Sequence, residues 1–358
     1  MQRLSIPFLL AVLFTALVGM SYYEYMDLYV QSVIMFMGVN IILSTSFNII
    51  NGYMGEFACG HAAFMAVGAY VTSVLNVLLF TKDRIFGPPL LDPELALYFF
   101  PFTLLAGGFI AALVGALVAI PSFKTRGDYL AIITIAANYI VTSTIINMDS
   151  IGGARGFMGM KKIIFAMEDV VYLPWMLIWV LLSTFMTVWI IRRYVSSTYG
   201  KGIIAIHQDE VAAEIMSVNT NKMKMVAFML SSGLAGIAGG LFAHILGYIN
   251  PGSFGILKST ECLVMVYLGG MGSLSGAVLS AVLFTLLLES LRFIIPWMDQ
   301  GLHFMSLLPD GYHLSQVWKW VIIPMILVLL MQFRPEGIMG NKELSDIFPR
   351  LKRLYSFK

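Results

Sequence analysis

Charge is what this chain has least of. Only 12% of its 358 residues are Asp, Glu, Lys or Arg, about half the share usual in a soluble domain. Hydrophobic residues make up 59% and the mean hydropathy is +0.84, which excludes an ordinary water-soluble fold. The net charge of +2 is spread over loops and gathers on no face, so nothing marks a nucleic-acid surface. Cysteine is nearly absent. Cys59 and Cys262 lie in apolar segments without metal spacing and read as small packing residues rather than a pair. There is no His-Glu-x-x-His, no paired-cysteine pattern, and no nucleophile beside a base, so no metal or covalent enzyme chemistry is indicated. A Gly-x-x-x-x-Gly-Lys-Ser/Thr loop is missing too, so the chain hydrolyses no ATP through a P-loop of its own. The stretch IGGARGFMGM at 151–160 has glycines but no strand before it, which removes a dinucleotide site.

Long apolar runs are what it does have. A bilayer core takes roughly 20 apolar residues per helix. The pattern predicts an all-α polytopic membrane protein with about ten spans, near 5–21, 28–50, 57–80, 95–120, 128–148, 173–194, 224–248, 256–269, 274–295 and 317–333. The eighth is short, so eight full spans plus a broken or re-entrant pair fits as well. The start resembles a signal peptide but lacks a small-x-small cleavage site, and reads as an uncleaved first helix. Lysines and arginines such as Lys124, Arg126, Arg192, Arg193, Lys201, Lys222, Lys224, Arg334 and Lys342 collect on one side. The other side has only Lys82, Arg84, Arg155, Lys161 and Lys162. The positive-inside rule then puts both termini and the 196–223 loop in the cytoplasm. Residues 1–340 form one transmembrane domain, and 341–358 a basic tail. Gly236 and Gly240, Gly108 and Ala112, and Ala111 and Gly115 are spaced for close helix packing in lipid. The stretches NGYMGEFACGHAAFMAVGAY at 51–70 and NPGSFGILKSTECLVMVYLGG at 250–270 echo one another. An inverted repeat would produce that relation, and so would chance between glycine-rich spans.

The loop 196–223 is the longest hydrophilic run. Placed on one helix, Ile204, Val211, Ile215 and Val218 share a sector, with His207, Glu210 and Glu214 beside it. Asp209 and Glu210 would sit at a helix start, where negative charge is favourable. Interfacial helices usually carry lysine and arginine on the polar face, and this face is acidic, so a protein partner is a better fit than lipid. Within the spans, Glu56, His61, Phe64, Tyr70, His244 and Glu261 are candidates for a solute path. Each has a plainer alternative: a solvated helix start for Glu56, and packing against a backbone carbonyl for His61. Glu289 and Arg292, three residues apart, should pair, as should Arg126 and Asp128 at a turn.

Five ordered stretches carry a resemblance over about Gly52 to Gly340. They are GYMGEFACGHAAFMAVGAY at 52–70, KTRGDYLAIITIA at 124–136, IGGARGFMG at 151–159, GKGIIAIHQDEVAAEIMSV at 200–218 with AFMLSSGLAGIAGGLFA at 227–243, and LGGMGSLSGAVLSA at 268–281 with PEGIMG at 335–340. Together they resemble the permease subunits of branched-chain amino-acid ABC importers, the LivM type of the LivH/LivM family. The resemblance implies a translocation subunit without an ATPase domain or cofactor of its own. It implies a second homologous permease, two cytoplasmic ATPases that bind ATP and Mg, and a periplasmic or lipid-anchored solute-binding protein. It also implies a bacterial or archaeal cytoplasmic membrane. The family's D-E-x-A-A loop, similar to an EAA-type coupling helix, falls on Asp209, Glu210, Ala212 and Ala213, with Gly200, His207, Glu214 and Ser217 around it. Departures are His207-Gln208 for the usual Arg-Glu, Ser217 for the closing glycine, Glu56 to Cys59 for Gln-x-Ser-Leu, and Arg155 in the outer glycine loop. Relatives carry urea or short amides, so the solute stays open. An ion-coupled secondary transporter using Glu261 and Glu289, and an intramembrane enzyme, are the rival classes.

Overall fold

The computed structural model describes residues 5–82, 87–123, 129–304, 313, 315–334, 336–340, 342, 343 and 346. In chain order the helices are α1 (Ser5–Tyr22), α2 (Leu28–Asn48), α3 (His61–Phe80), α4 (Ala96–Ser122), α5 (Tyr129–Ile146), α6 (Met160–Val170) and α7 (Trp175–Ser196). There follow α8 (Thr198–Gln208), α9 (Glu210–Ile215), α10 (Thr220–Leu246), α11 (Ile256–Gly269), α12 (Leu274–Phe304) and α13 (Lys319–Phe333). Eight helical segments among the described residues are long and apolar enough to cross a membrane, and α2, α3, α4, α5, α7, α10, α12 and α13 make them up. The ten expected spans therefore reduce to eight. Of the other two, α1 supplies a shorter apolar stretch, Ala11–Tyr22, and α11 has only 14 residues. Eight candidate spans among the described residues fit the alternative of eight full spans with shorter segments.

Helix α10 lies at the centre against α2, α3 and α4. Small residues make that possible. Methyl groups built on Gly68 and Gly239 would run into the backbones of Gly236 and Met65, and one on Gly240 would sit 2.7 Å from Leu104. Lipid gives apolar helices no hydrophobic reason to associate, so this close van der Waals fit holds α3, α4 and α10 together. The ring packing of Phe64, Phe123 and Phe228 fills the space nearby.

Far from α8 and α9, two elements appear where the pattern showed only loops. Helix α6 buries Met160, Ile163 and Met167. Strands β1 (Phe157–Met158) and β2 (Tyr248–Ile249) pair antiparallel, with Phe157 opposite Ile249. Tyr248 donates its hydroxyl to the Arg155 carbonyl at 2.7 Å, so the glycine loop and the 249–256 loop form one surface. The echoed stretches both break before a helix, one at 55–60 and one in the turn Pro251–Phe254. There α3 and α11 run antiparallel, joined by Ala62 N donating to Ser259 Oγ at 3.1 Å and by the Tyr70–Phe254 ring contact.

Beyond α13, Ile338 N and Met339 N donate to Leu268 and Gly269 carbonyls, and the buried Glu343 carboxylate accepts from Leu274 N at 2.8 Å and Ser275 N at 3.1 Å. Glu343, numbered with the tail by sequence, thus caps α12, where a negative charge meets unpaired amide groups. The Arg126–Asp128 pair expected at 124–128 lies outside the described residues, as does most of the tail.

Candidate functional site

The hydrophilic loop is not one helix. Asp209 has extended backbone (φ −159°), which ends α8 and starts α9. Its carboxylate accepts from Ala212 N at 3.0 Å, an N-cap that competes with helix continuation. Asp209 and Glu210 do stand at a helix start, as charge placement suggests, but it is a second one. At the head of α8, Gly200 is buried, and a Cβ there would strike the Tyr194 and Val195 carbonyls. At the foot of α9, Ser217 adopts φ +64°, the left-handed region where glycine costs least, while Val218 N closes back to Ala213 O at 3.1 Å. The departure at Ser217 therefore sits where a glycine has a physical reason.

The two faces of this knuckle differ. Ile203, Ile206 and Ala213 are buried against the bundle. Val211 (63%), Ile215 (77%) and Met216 (78%) are exposed beside the acidic residues, so these three apolar side chains are left largely uncovered by the described residues. Glu214 accepts a hydrogen bond from Thr220 Oγ1 at 3.0 Å, and His207 packs its ring on Gly55.

Gly55, at φ +72°, turns the chain so that 56–60 is non-helical and not the start of a helix, which begins only at His61. Backbone without helical bonds persists at such a place only when protein satisfies it. Asn51 does so at Ala58, giving Nδ2 to the carbonyl and taking the amide, both at 3.3 Å. Thr134 Oγ1 of α5 accepts from Cys59 N at 3.0 Å, and Ser259 Oγ of α11 takes Ala62 N. Glu56 is therefore neither a helix start nor simply solvated. Its Oε1 lies 2.7 Å from Lys224 Nζ, and the same ammonium lies 2.9 Å from Glu210 Oε1. The Lys224 side chain is 8% exposed. One buried cation thus joins the non-helical segment 55–60 to α9.

The other solute-path candidates are scattered through the core. His61 is buried, hydrogen-bonded through Nε2 to Ser46 Oγ at 3.0 Å, not to a backbone carbonyl as expected, and stacked near Phe47. Phe64 packs edge-on against Phe228. His244 is held by Asn76 at 2.9 Å and by the Gly240 carbonyl at 2.8 Å, which is a packing role. Tyr70 is buried against Phe254 and its hydroxyl has no protein partner among the described residues, nor do Ser73 Oγ and Asn76 Oδ1 further along α3. Glu261 pairs with Lys258 at 2.7 Å. It borders a cleft of about 470 Å³ with Leu288, Glu289, Arg292, Gln316 and Lys319. Glu289 is 3.8 Å from Arg292, as its spacing predicts, and accepts the Tyr29 hydroxyl at 2.5 Å. Reading by sequence missed Asn51, Thr134, Ser259 and Lys258, and counted Lys224 only as a loop charge. A lysine at the fifth position of a long apolar helix, the last charge before its apolar run, was the available signal.

A family model described as "Branched-chain amino acid transport system / permease component" matches residues 28–331. The chain is 29% identical over 325 residues to the high-affinity branched-chain amino acid transport system permease protein LivM of Salmonella typhimurium, covering 84% of this chain and 68% of that one. It is 23% identical over 347 residues to the probable branched-chain amino acid transport permease protein LivM of Methanocaldococcus jannaschii, 90% and 96% of the two chains. The permease protein LivH of the same Salmonella system is 22% identical over 339 residues, 87% and 96%. No solved structure matches the chain.

Proposed function

The chain belongs to the branched-chain amino acid transport permease family, and from that premise we propose that it is one of two permease subunits of an ATP-driven importer. It is a multi-pass membrane protein with eight helices fit to span. In our reading it sits in the cytoplasmic membrane of a bacterium or archaeon with both termini inside. The α8–α9 knuckle docks on a cytoplasmic ATPase that binds ATP and Mg, a homologous permease completes the path, and a solute-binding protein delivers to the β1–β2 surface. The solute is a branched-chain amino acid, with another small polar solute such as urea as the alternative within the same mechanism.

One observation carries this reading: an otherwise lipid-directed chain exposes Val211, Ile215 and Met216 on an acidic two-helix knuckle, and connects that knuckle inward through Lys224. Anionic lipid repels such a face, and water leaves its apolar atoms uncovered. Ion coupling is the weaker alternative, because Glu261 and Glu289 are both tied to cations. The test is uptake by the complete transporter in proteoliposomes. Leucine accumulation that needs internal ATP and the binding protein supports the proposal. Accumulation driven by an ion gradient after ATP depletion overturns it, and urea in place of leucine moves the solute alone.

A further inference from the structure

We propose that Lys224 is a positioning residue that makes the non-helical segment 55–60 follow α9, so that movement of the knuckle reaches the interior without passing along a whole helix. This rests on the coupling reading above and adds to it the residue through which coupling runs.

Three observations converge. The Lys224 ammonium, in the second turn of α10, lies 2.7 Å from Glu56 and 2.9 Å from Glu210, with the Phe123 ring 6.0 Å away. Glu56 is the first residue after the Gly55 turn, and Glu210 is the first residue of α9, so the lysine ties the ends of two elements rather than two points within long helices. A second contact runs alongside, since the His207 ring of α8 lies on Gly55. Beyond Glu56, the backbone of 58–62 is held by Asn51, Thr134 and Ser259, side chains of three different segments. A displacement of α9 is therefore passed to the 49–53 turn that follows α2, to α5 and to α11 at one place.

The charge count gives the lysine a further consequence. Two carboxylates face one ammonium, so removing the lysine leaves two like charges near each other and pushes the elements apart. The two arms are unequal. Glu210 is 45% exposed and Glu56 23%, so water can take over the Glu210 bond during movement while the Glu56 bond persists. Glu210 also points its carboxylate into its own chain. Its charge therefore serves the internal link, and the ATPase would meet Val211, Ile215 and Met216.

The test uses the complete transporter in proteoliposomes and reads solute taken up per ATP hydrolysed. Lys224→Met should leave the ATPase bound and hydrolysing, while uptake per ATP falls at least tenfold; Lys224→Arg should restore most of it. If Lys224→Met does not assemble, the neutral triple variant Glu56→Gln, Lys224→Met, Glu210→Gln removes the repulsion, and it too should assemble but stay uncoupled. A wild-type uptake-to-hydrolysis ratio in either variant overturns the proposal. A purely structural lysine would lower protein yield and leave that ratio unchanged. If the wild type binds no ATPase, the importer reading falls first, and this inference with it.

Discussion

Exchanging one methyl group across the contact between α4 and α10 tests whether glycine packing sets their separation. A Cβ on Gly236 would lie 2.5 Å from Ala111 Cβ and 3.2 Å from the Gly107 carbonyl oxygen and Gly108 Cα. Ordinary contact begins at 3.4 Å, so in Gly236→Ala the two helices must open by about 0.9 Å at this point. Overpacking of this kind costs about 1–3 kcal/mol, against which alanine regains up to about 1 kcal/mol of helix propensity over glycine. The clash wins, because both methyl groups are fixed to backbone and neither can rotate away. A net loss of about 1–2 kcal/mol corresponds, in a chain of 358 residues, to a fall in melting temperature of roughly 1–3 °C. Adding Ala111→Gly moves the methyl from one helix to the other and should recover most of the loss. Gly68→Ala offers the contrast: its methyl meets the Gly236 backbone, which no substitution can remove, so Ala111→Gly should not help it. Thermal unfolding of the detergent-solubilised protein, read by size exclusion after heating, measures all four. Wild-type melting of Gly236→Ala, or no recovery in the double variant, would show that the helices do not meet at these atoms.

Three further outcomes follow from the same geometry. Replacing Asn51 with Leu strands the Ala58 amide and carbonyl, at about 1–3 kcal/mol for each buried group, and should speed hydrogen exchange at Ala58 well before global unfolding; unchanged exchange would mean that water already serves that backbone. Ser217→Gly relieves a left-handed residue and should add about 1 kcal/mol to the local stability of 213–218, seen as slower exchange there; equal or faster exchange would refute the strain. Ile215→Ser with Met216→Ser removes two side chains about three-quarters exposed, and should weaken ATPase capture by about tenfold or more with no change in melting temperature. A lowered melting temperature with intact capture would place that face inside this chain's own fold.

Much of the architecture was legible because hydropathy and small-residue spacing are local properties. The run around 224–248 shows its length and its GxxxG pair directly, and both become α10 at the centre of the bundle. The non-helical stretch 55–60 was hidden for a related reason. Phe57, Ala58 and Cys59 keep the hydropathy of a span, and no average over side chains sees a backbone leave the helix. Asp209 was read correctly as helix-starting charge, yet the break it makes depends on a capping bond that a helical projection assumes away. The Glu56–Lys224 pair joins residues 168 positions apart, and Lys258 beside Glu261 was overlooked because attention fell on the acid alone. Polar residues singled out for being rare, His61 and His244, turned out to be among the better buried. Scarcity in a membrane chain marks a residue that needs a partner, and the partner decides what it does.

A helix takes its hydrogen bonds along when it shifts; the non-helical backbone leading into α3 cannot. The bonds at Ala58, Cys59 and Ala62 belong to neighbours on three segments and stand at 3.0 to 3.3 Å. A few tenths of an ångström of slippage brings them near the limit at which such bonds fail. Below that limit the segment yields smoothly, and past it the bonds must be given up together and replaced by water. Under the coupling proposed above, load applied there would be answered in steps, and the junction would serve as a detent that holds one alignment of the 49–53 turn, α5 and α11 until the force suffices.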